Sequence, residues 1–152
     1  MPVINRKVSM IKNIVFDISN VLAPFRLKEF LAEKGFDGDM AKQIYKASVF
    51  SPYWVEFERG KISEKEVIDS FVKCNPKIEE EIHLAFDSVK GIMGEYDYSV
   101  AWIEALKKAG YGVYCITNFT PAGYYQCYDQ ISFVEKMDGG IFSFQEGYVK
   151  KG

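Results

Sequence analysis

Histidine is almost missing from this sequence. The chain of 152 residues has one, His83, which excludes a metal site built from several histidines. Cysteine is scarce as well. Cys74, Cys115 and Cys127 have no metal-ligand spacing, and an odd count argues against a complete disulfide framework, so a reducing cytoplasmic setting is expected. An excess of positive charge is also lacking. The formal net charge is −2, and Lys107-Lys108 and Lys150-Lys151 are pairs rather than clusters. Nucleic acid and anionic membrane surfaces are therefore not expected partners. No apolar run is long enough to span a membrane. Met1 to Met10 lacks the apolar segment of a signal peptide, and residues 1–9 read as an extension ahead of Met10. Glycine-rich phosphate loops, internal repeats and low-complexity tracts are absent; Gly139-Gly140 reads as a turn before a strand.

The residues that are present suit a globular protein of one domain, or a small domain carrying an insertion. Ile14-Val15-Phe16 is a short, apolar, β-branched run that predicts a strand buried on both faces in a parallel sheet. It breaks at Asp17-Ile18-Ser19-Asn20. From about Leu27 to Val89 the spacing is helical: Leu27, Phe30 and Leu31 share a face, as do Met40, Ile44 and Tyr45. Ser63 and Glu66 form a capping box, with Ile62 and Val67 placed as a hydrophobic staple. Pro76 can open a further helix through Phe86. Trp102, Ala105, Leu106 and Ala109 predict a helix from Tyr98 to Ala109, closed by Gly110. A second strand follows at Val113–Ile116 and a third at 140–143. Strands alternating with helices predict an α/β, Rossmann-like parallel sheet. The segment 24–90 is too long for a simple crossover and reads as an inserted all-helical cap on a core of 10–23 and 91–152.

Ligands of open parallel sheets bind beyond the carboxyl ends of the strands. Asp17 and the pair Thr117-Asn118 stand at such ends, and Lys150 follows the third strand. A carboxylate can act as a covalent nucleophile. A lysine and a hydroxyl can neutralise and orient phosphate oxygens, which is most of what phosphoryl transfer needs. Each residue also has an ordinary alternative: Asp17 as a turn residue, Thr117-Asn118 as a loop signal ahead of Pro121, Lys150 as a solvated charge. Arg26 and Arg59 are candidate anion contacts from the cap side, though solvated charge is the commoner state. Cys115 reads as a small buried hydrophobe.

The run Asn13-Ile14-Val15-Phe16-Asp17-Ile18-Ser19-Asn20-Val21-Leu22 resembles the first motif of the haloacid dehalogenase (HAD) superfamily. Val113-Tyr114-Cys115-Ile116-Thr117-Asn118 resembles the second. Ser143 to Lys150, with Gly147 three residues ahead of the lysine, resembles the third. Trp54 to Ile68, with Phe57-Glu58-Arg59-Gly60-Lys61-Ile62-Ser63, is similar to the helical cap of the sugar-phosphatase-like branch. The resemblance spans nearly the whole chain. It implies a Mg²⁺-dependent phosphatase of a small phosphorylated metabolite. Asp17 would form an aspartyl-phosphate, and its carboxylate and the Ser19 carbonyl would bind Mg²⁺. Thr117 and the Asn118 amide would hold phosphate, and Lys150 would pair with phosphate and Asp17. The helical insert would close over the crevice and select substrate.

The sequence departs from that pattern in three places. Ser19 stands where a second aspartate serves as general acid and base. Lys151 replaces a proline. The fourth motif, an acidic pair completing the metal site, does not follow before Gly152, so the core is expected to be incomplete at its C-terminus. Either the chain is a fragment of a longer protein or another chain covers the sheet edge, and self-association at an exposed edge beside Ile14-Val15-Phe16 is expected. Two other functions compete: a metal-independent haloacid dehalogenase, in which Asp17 attacks carbon, and a catalytically inactive domain that binds a ligand or partner.

Overall fold

A computed structural model describes residues 10–151; the readings made of residues 1–9 and Gly152 lie outside the described residues. Three strands, β1 (Asn13–Phe16), β2 (Gly112–Thr117) and β3 (Gly139–Phe142), form one parallel sheet in the order β1-β2-β3. Asn13 lies opposite Gly112 and Thr117 opposite Phe142. Parallel neighbours need long crossovers. The first contains α1 (Leu27–Glu33), α2 (Gly38–Ala47), α3 (Pro52–Glu58), α4 (Glu64–Cys74), a 3-10 turn (Pro76–Ile78), α5 (Glu79–Phe86) and α6 (Ser99–Lys108). The second contains α7 (Pro121–Gln126) and a 3-10 segment (Tyr128–Lys136), and α8 (Ser143–Glu146) follows β3 directly. The chain is thus α/β, as expected.

Local chemistry sets several boundaries. Ser63 Oγ accepts from the Glu66 N–H at 3.1 Å while Glu66 Oε1 accepts from the Ser63 N–H at 3.4 Å, so α4 opens on the anticipated capping box. Ser63→Ala is expected to lower stability by about 1 kcal/mol, measured as a shift in the urea midpoint; an unchanged midpoint would mean that the box adds nothing. α3 begins with Pro52 in its first turn, where a missing N–H is harmless. The crossing between the sheet and the helical insert is a two-stranded neck. Arg26 N–H donates to the Ile92 carbonyl at 2.7 Å and Gly94 N–H to the Pro24 carbonyl at 2.9 Å. A Cβ at Gly94 would lie 2.7 Å from the Arg26 side chain, so the two segments meet where a larger residue would displace Arg26 and Pro24.

Among the described residues, the sheet is covered on one face, not on both as the apolar runs suggested. Phe16, Val113, Cys115, Thr117 and Phe142 are buried, whereas Val15, Tyr114, Ile116 and Ile141 are exposed at 54%, 36%, 41% and 47%. The reason is topological. The chain advances β1→β2→β3 in one direction, and right-handed crossovers then put both helical layers on the same side; α6 packs on β2 and on the 3-10 segment together. β1 is an edge strand of this sheet. The phase of α6 also differs from expectation. Its buried face is Ser99, Ile103 and Leu106, while Trp102, Ala105 and Ala109 are exposed. Trp102 still lays its indole edge-on to Phe16, with ring centres 4.8 Å apart.

Within the insert, Phe30, Ile44, Val67, Phe71 and Ile82 are all at most 2% exposed and form its centre.

Candidate active site

A cavity of about 270 Å³ opens beyond the carboxyl ends of β1 and β2. Its wall combines Asp17, Ser19, Asn20, Asn118 and Lys150 from the sheet side with Trp54 and Glu58 from α3; Phe25, Val89, Ile92, Met93 and Phe119 supply apolar surface. This is where an open parallel sheet places its ligands.

Asp17 is the first residue after β1. Its Oδ1 accepts the Ile18 N–H at 2.7 Å, and its Oδ2 accepts from Lys150 Nζ at 2.5 Å. Both side chains keep over a third of their surface exposed, so the pair remains reachable from the cavity. The loop behind Asp17 is tightly wound. The Ile18 carbonyl accepts from the N–H groups of Val21, Leu22 and Ala23. Asn20 takes a left-handed φ of 60°, which asparagine tolerates, and its Oδ1 accepts the Phe25 N–H at 2.9 Å.

Lys150 is held by Asn118. The Lys150 N–H donates to Asn118 Oδ1 at 2.9 Å, and Asn118 Nδ2 donates to the Lys150 carbonyl at 3.2 Å. The side-chain amide of Asn118 is thus engaged in clamping the lysine's backbone. Thr117 is 2% exposed and stands off the cavity wall; its hydroxyl approaches the Asn118 carbonyl at 3.4 Å. Of the residues singled out from sequence, the fold therefore gathers Asp17, Ser19, Asn118 and Lys150 at one cavity and leaves Thr117 beneath it.

Ser143, which sequence reasoning did not single out for the site, ties three segments together. Its Oγ accepts the Phe119 N–H at 2.9 Å and donates to the Glu58 carbonyl at 2.6 Å. It thereby fastens the last turn of α3 to the loop after β2. Just beyond, Gly60 has φ 69°, and a Cβ there would collide with the Phe144 carbonyl. Glu58 was also missed. Burial pushes its carboxyl up to about 7, against the opposing pull of the Trp54 indole.

The other candidates are occupied elsewhere. Arg26 pairs with Glu33 at 2.6 Å and donates to the Gly91 carbonyl, and Arg59 pairs with Glu56. His83 is half-exposed beside Glu79. Cys115 is 1% exposed, and burial pushes its thiol up to about 11, as befits an inert core residue.

Among the described residues, no three histidine, cysteine or acidic side chains cluster as a metal cage. The Asp17 carboxylate and the Ser19 backbone on the cavity wall are a smaller oxygen set. That set fits Mg²⁺ only as a cation shared with a phosphate and water, a mode this ion commonly adopts.

No protein-family model and no curated protein matches the sequence. Solved structures do. A HAD family enzyme from Bacteroides thetaiotaomicron, in complex with magnesium and inorganic phosphate, is 18% identical with a TM-score of 0.62, over 93% of this chain and 73% of that one. The L-2-haloacid dehalogenase from Xanthobacter autotrophicus with chloropropionic acid covalently bound is 13% identical with a TM-score of 0.54, over 93% of this chain and 60% of that one. At such identities the likeness is one of fold, and the chain has the fold of the haloacid dehalogenase superfamily hydrolases.

Proposed function

We propose that the protein is a Mg²⁺-dependent phosphatase of a small phosphorylated metabolite. The observation that carries this reading is the ion pair of Asp17 and Lys150, set at the carboxyl end of β1 and open to a cavity of about 270 Å³. A carboxylate can act as a covalent nucleophile, and an ammonium beside it can orient it and balance charge on a phosphate. In this reading an Asp17 oxygen attacks phosphorus, the bond to the leaving oxygen breaks, and an aspartyl-phosphate forms. Lys150 lies where it would meet both Asp17 and the phosphate oxygens, and the Asn118 clamp fixes its backbone while it does so. Thr117 would hold phosphate less directly than Asn118, because its hydroxyl is buried beneath the wall. Asp17 and the Ser19 carbonyl would hold Mg²⁺, which when bound offsets charge on the phosphate oxygens. The segment 24–90 acts as a cap on the core 10–23 and 91–152. Its α3 supplies Trp54 and Glu58 to the cavity, and its neck at Phe25 and Met93 is the natural pivot.

A dehalogenase has one specific point in its favour. Ser19 provides no second carboxylate, and attack on carbon needs neither that group nor a metal. Both readings are tested together by measuring phosphate release from an aryl phosphate, with Mg²⁺ and with excess chelator, beside halide release from chloropropionic acid. Phosphate release that the chelator abolishes, without halide release, is the expected result. Halide release in chelator would transfer the assignment to the dehalogenase. Neither product above the blank would mean a domain that binds without turnover.

A further inference from the structure

We propose that Glu58 is the general acid and base of this site, working from the helical insert in place of the carboxylate that Ser19 does not provide. This deepens the phosphatase reading and rests on it.

Three observations lead there. The first is position. Glu58 lies on the wall of the same cavity as Asp17 and Lys150, at the end of α3. The second is fixation. The Ser143 hydroxyl holds the Glu58 carbonyl at 2.6 Å, and the tight passage of Gly60 beneath Phe144 anchors the residues that follow. The third is ionisation. Neighbouring cations do not neutralise Glu58. Asp17 and Lys150 across the cavity pair with each other, and Arg59 pairs with Glu56 on the same helix. From the elements packed around it, Lys61 follows the helix, Glu64 opens α4 and Glu146 stands in α8, and none is in ion-pair contact with Glu58 among the described residues. Desolvation with no paired cation leaves a carboxyl that exchanges its proton near neutral pH, as acid–base catalysis requires.

The chemistry balances. As an Asp17 oxygen bonds to phosphorus and the bond to the leaving oxygen breaks, Glu58 gives its proton to that oxygen. A water then attacks phosphorus and passes a proton to the Glu58 carboxylate. The bond to Asp17 breaks, phosphate departs, and both carboxyl groups return to their starting forms. The substrate's organic part would lie against Phe25, Trp54 and Phe119, with its ester oxygen toward Glu58.

The test compares wild type, Glu58→Gln and Asp17→Asn on two substrates, an alkyl phosphate and nitrophenyl phosphate, across pH 5 to 9. An alkoxide needs a proton to leave and nitrophenolate does not. Glu58→Gln is expected to lower kcat/KM on the alkyl phosphate by about 10²-fold or more, yet only a few-fold on nitrophenyl phosphate. It should also erase the fall in kcat/KM that the wild type shows as pH rises through about 7. KM should change little, and the thermal midpoint should stay within a few degrees, because the amide is nearly isosteric with a carboxyl that is only partly buried. Equal losses on both substrates, or a pH limb that survives in Glu58→Gln, would overturn the role of Glu58 while Asp17-dependent release keeps the phosphatase reading. No Asp17-dependent release from either substrate would overturn both.

Discussion

Asp17→Asn is expected to reduce phosphate release by about 10⁴-fold or more, the scale at which loss of a covalent nucleophile is felt. The substitution is nearly isosteric. Its amide oxygen can still accept the Ile18 N–H that Asp17 Oδ1 now takes at 2.7 Å, so the loop after β1 has no reason to rearrange. The ion pair with Lys150 disappears. Both partners retain over a third of their surface, so that loss costs at most about 1 kcal/mol of stability. Two measurements decide the matter: steady-state phosphate release, and the thermal midpoint of the variant beside the wild type. An unchanged midpoint with abolished release locates the defect in the chemistry. Release near the wild-type rate would remove Asp17 from the mechanism.

The second large effect is on stability. Phe71 is 1% exposed at the centre of the helical insert, its ring stacked 6.2 Å from Trp54 and tilted 5.3 Å from Phe86. It therefore joins α3, α4 and α5. Phe71→Ala should cost about 3–5 kcal/mol, the transfer free energy of the ring plus the void left behind. Against a total stability of roughly 5–15 kcal/mol, this leaves a marginal protein at 37 °C. Urea unfolding checks the magnitude, and a loss below about 1.5 kcal/mol would mean that the insert repacks around the gap. The damage should reach the cavity, because Trp54 stands between Phe71 and the cavity. Amide exchange should rise in α3 to α5 before it rises in the sheet.

What could be read from the sequence was what local chemistry decides. The capping box of Ser63 and Glu66 needs only four residues in order, and it is there. β1 and β2 were legible because a short apolar run followed by a polar break has few other uses, and their carboxyl ends brought Asp17 and Asn118 to one place. What could not be read depends on partners distant in sequence. Val15 and Ile116 are as apolar as any core residue, yet the direction in which the strands are laid down leaves them open. In α6, Trp102 outweighed Ile103 in the apolar pattern. The helix turns Ile103 inward and lets Trp102 lie along the rim against Phe16. Glu58 had no local signal at all. It sits in a charged stretch, Glu56 to Lys61, where a solvated acid is the default; only the closure of α3 onto Ser143 gives it a cavity to face. Ser143 is a similar case, an ordinary serine after a strand until the fold brings Phe119 and Glu58 to it.

The sheet's pairing order has a consequence for how the chain can be made. β1 has β2 as its hydrogen-bonded neighbour, and Asn13 and Gly112 are roughly a hundred residues apart in sequence. During synthesis β1, with Asp17 at its tip, leaves the ribosome early and waits for its mate while about a hundred residues are added, a matter of several seconds at ordinary rates. The helices from α1 to α5 pack mainly on one another and, apart from the contact of α3 with α8, need no such wait. The insert can therefore largely assemble first and act as the scaffold on which β1 is later seated, so that the part interrupting the sheet in sequence precedes it in time.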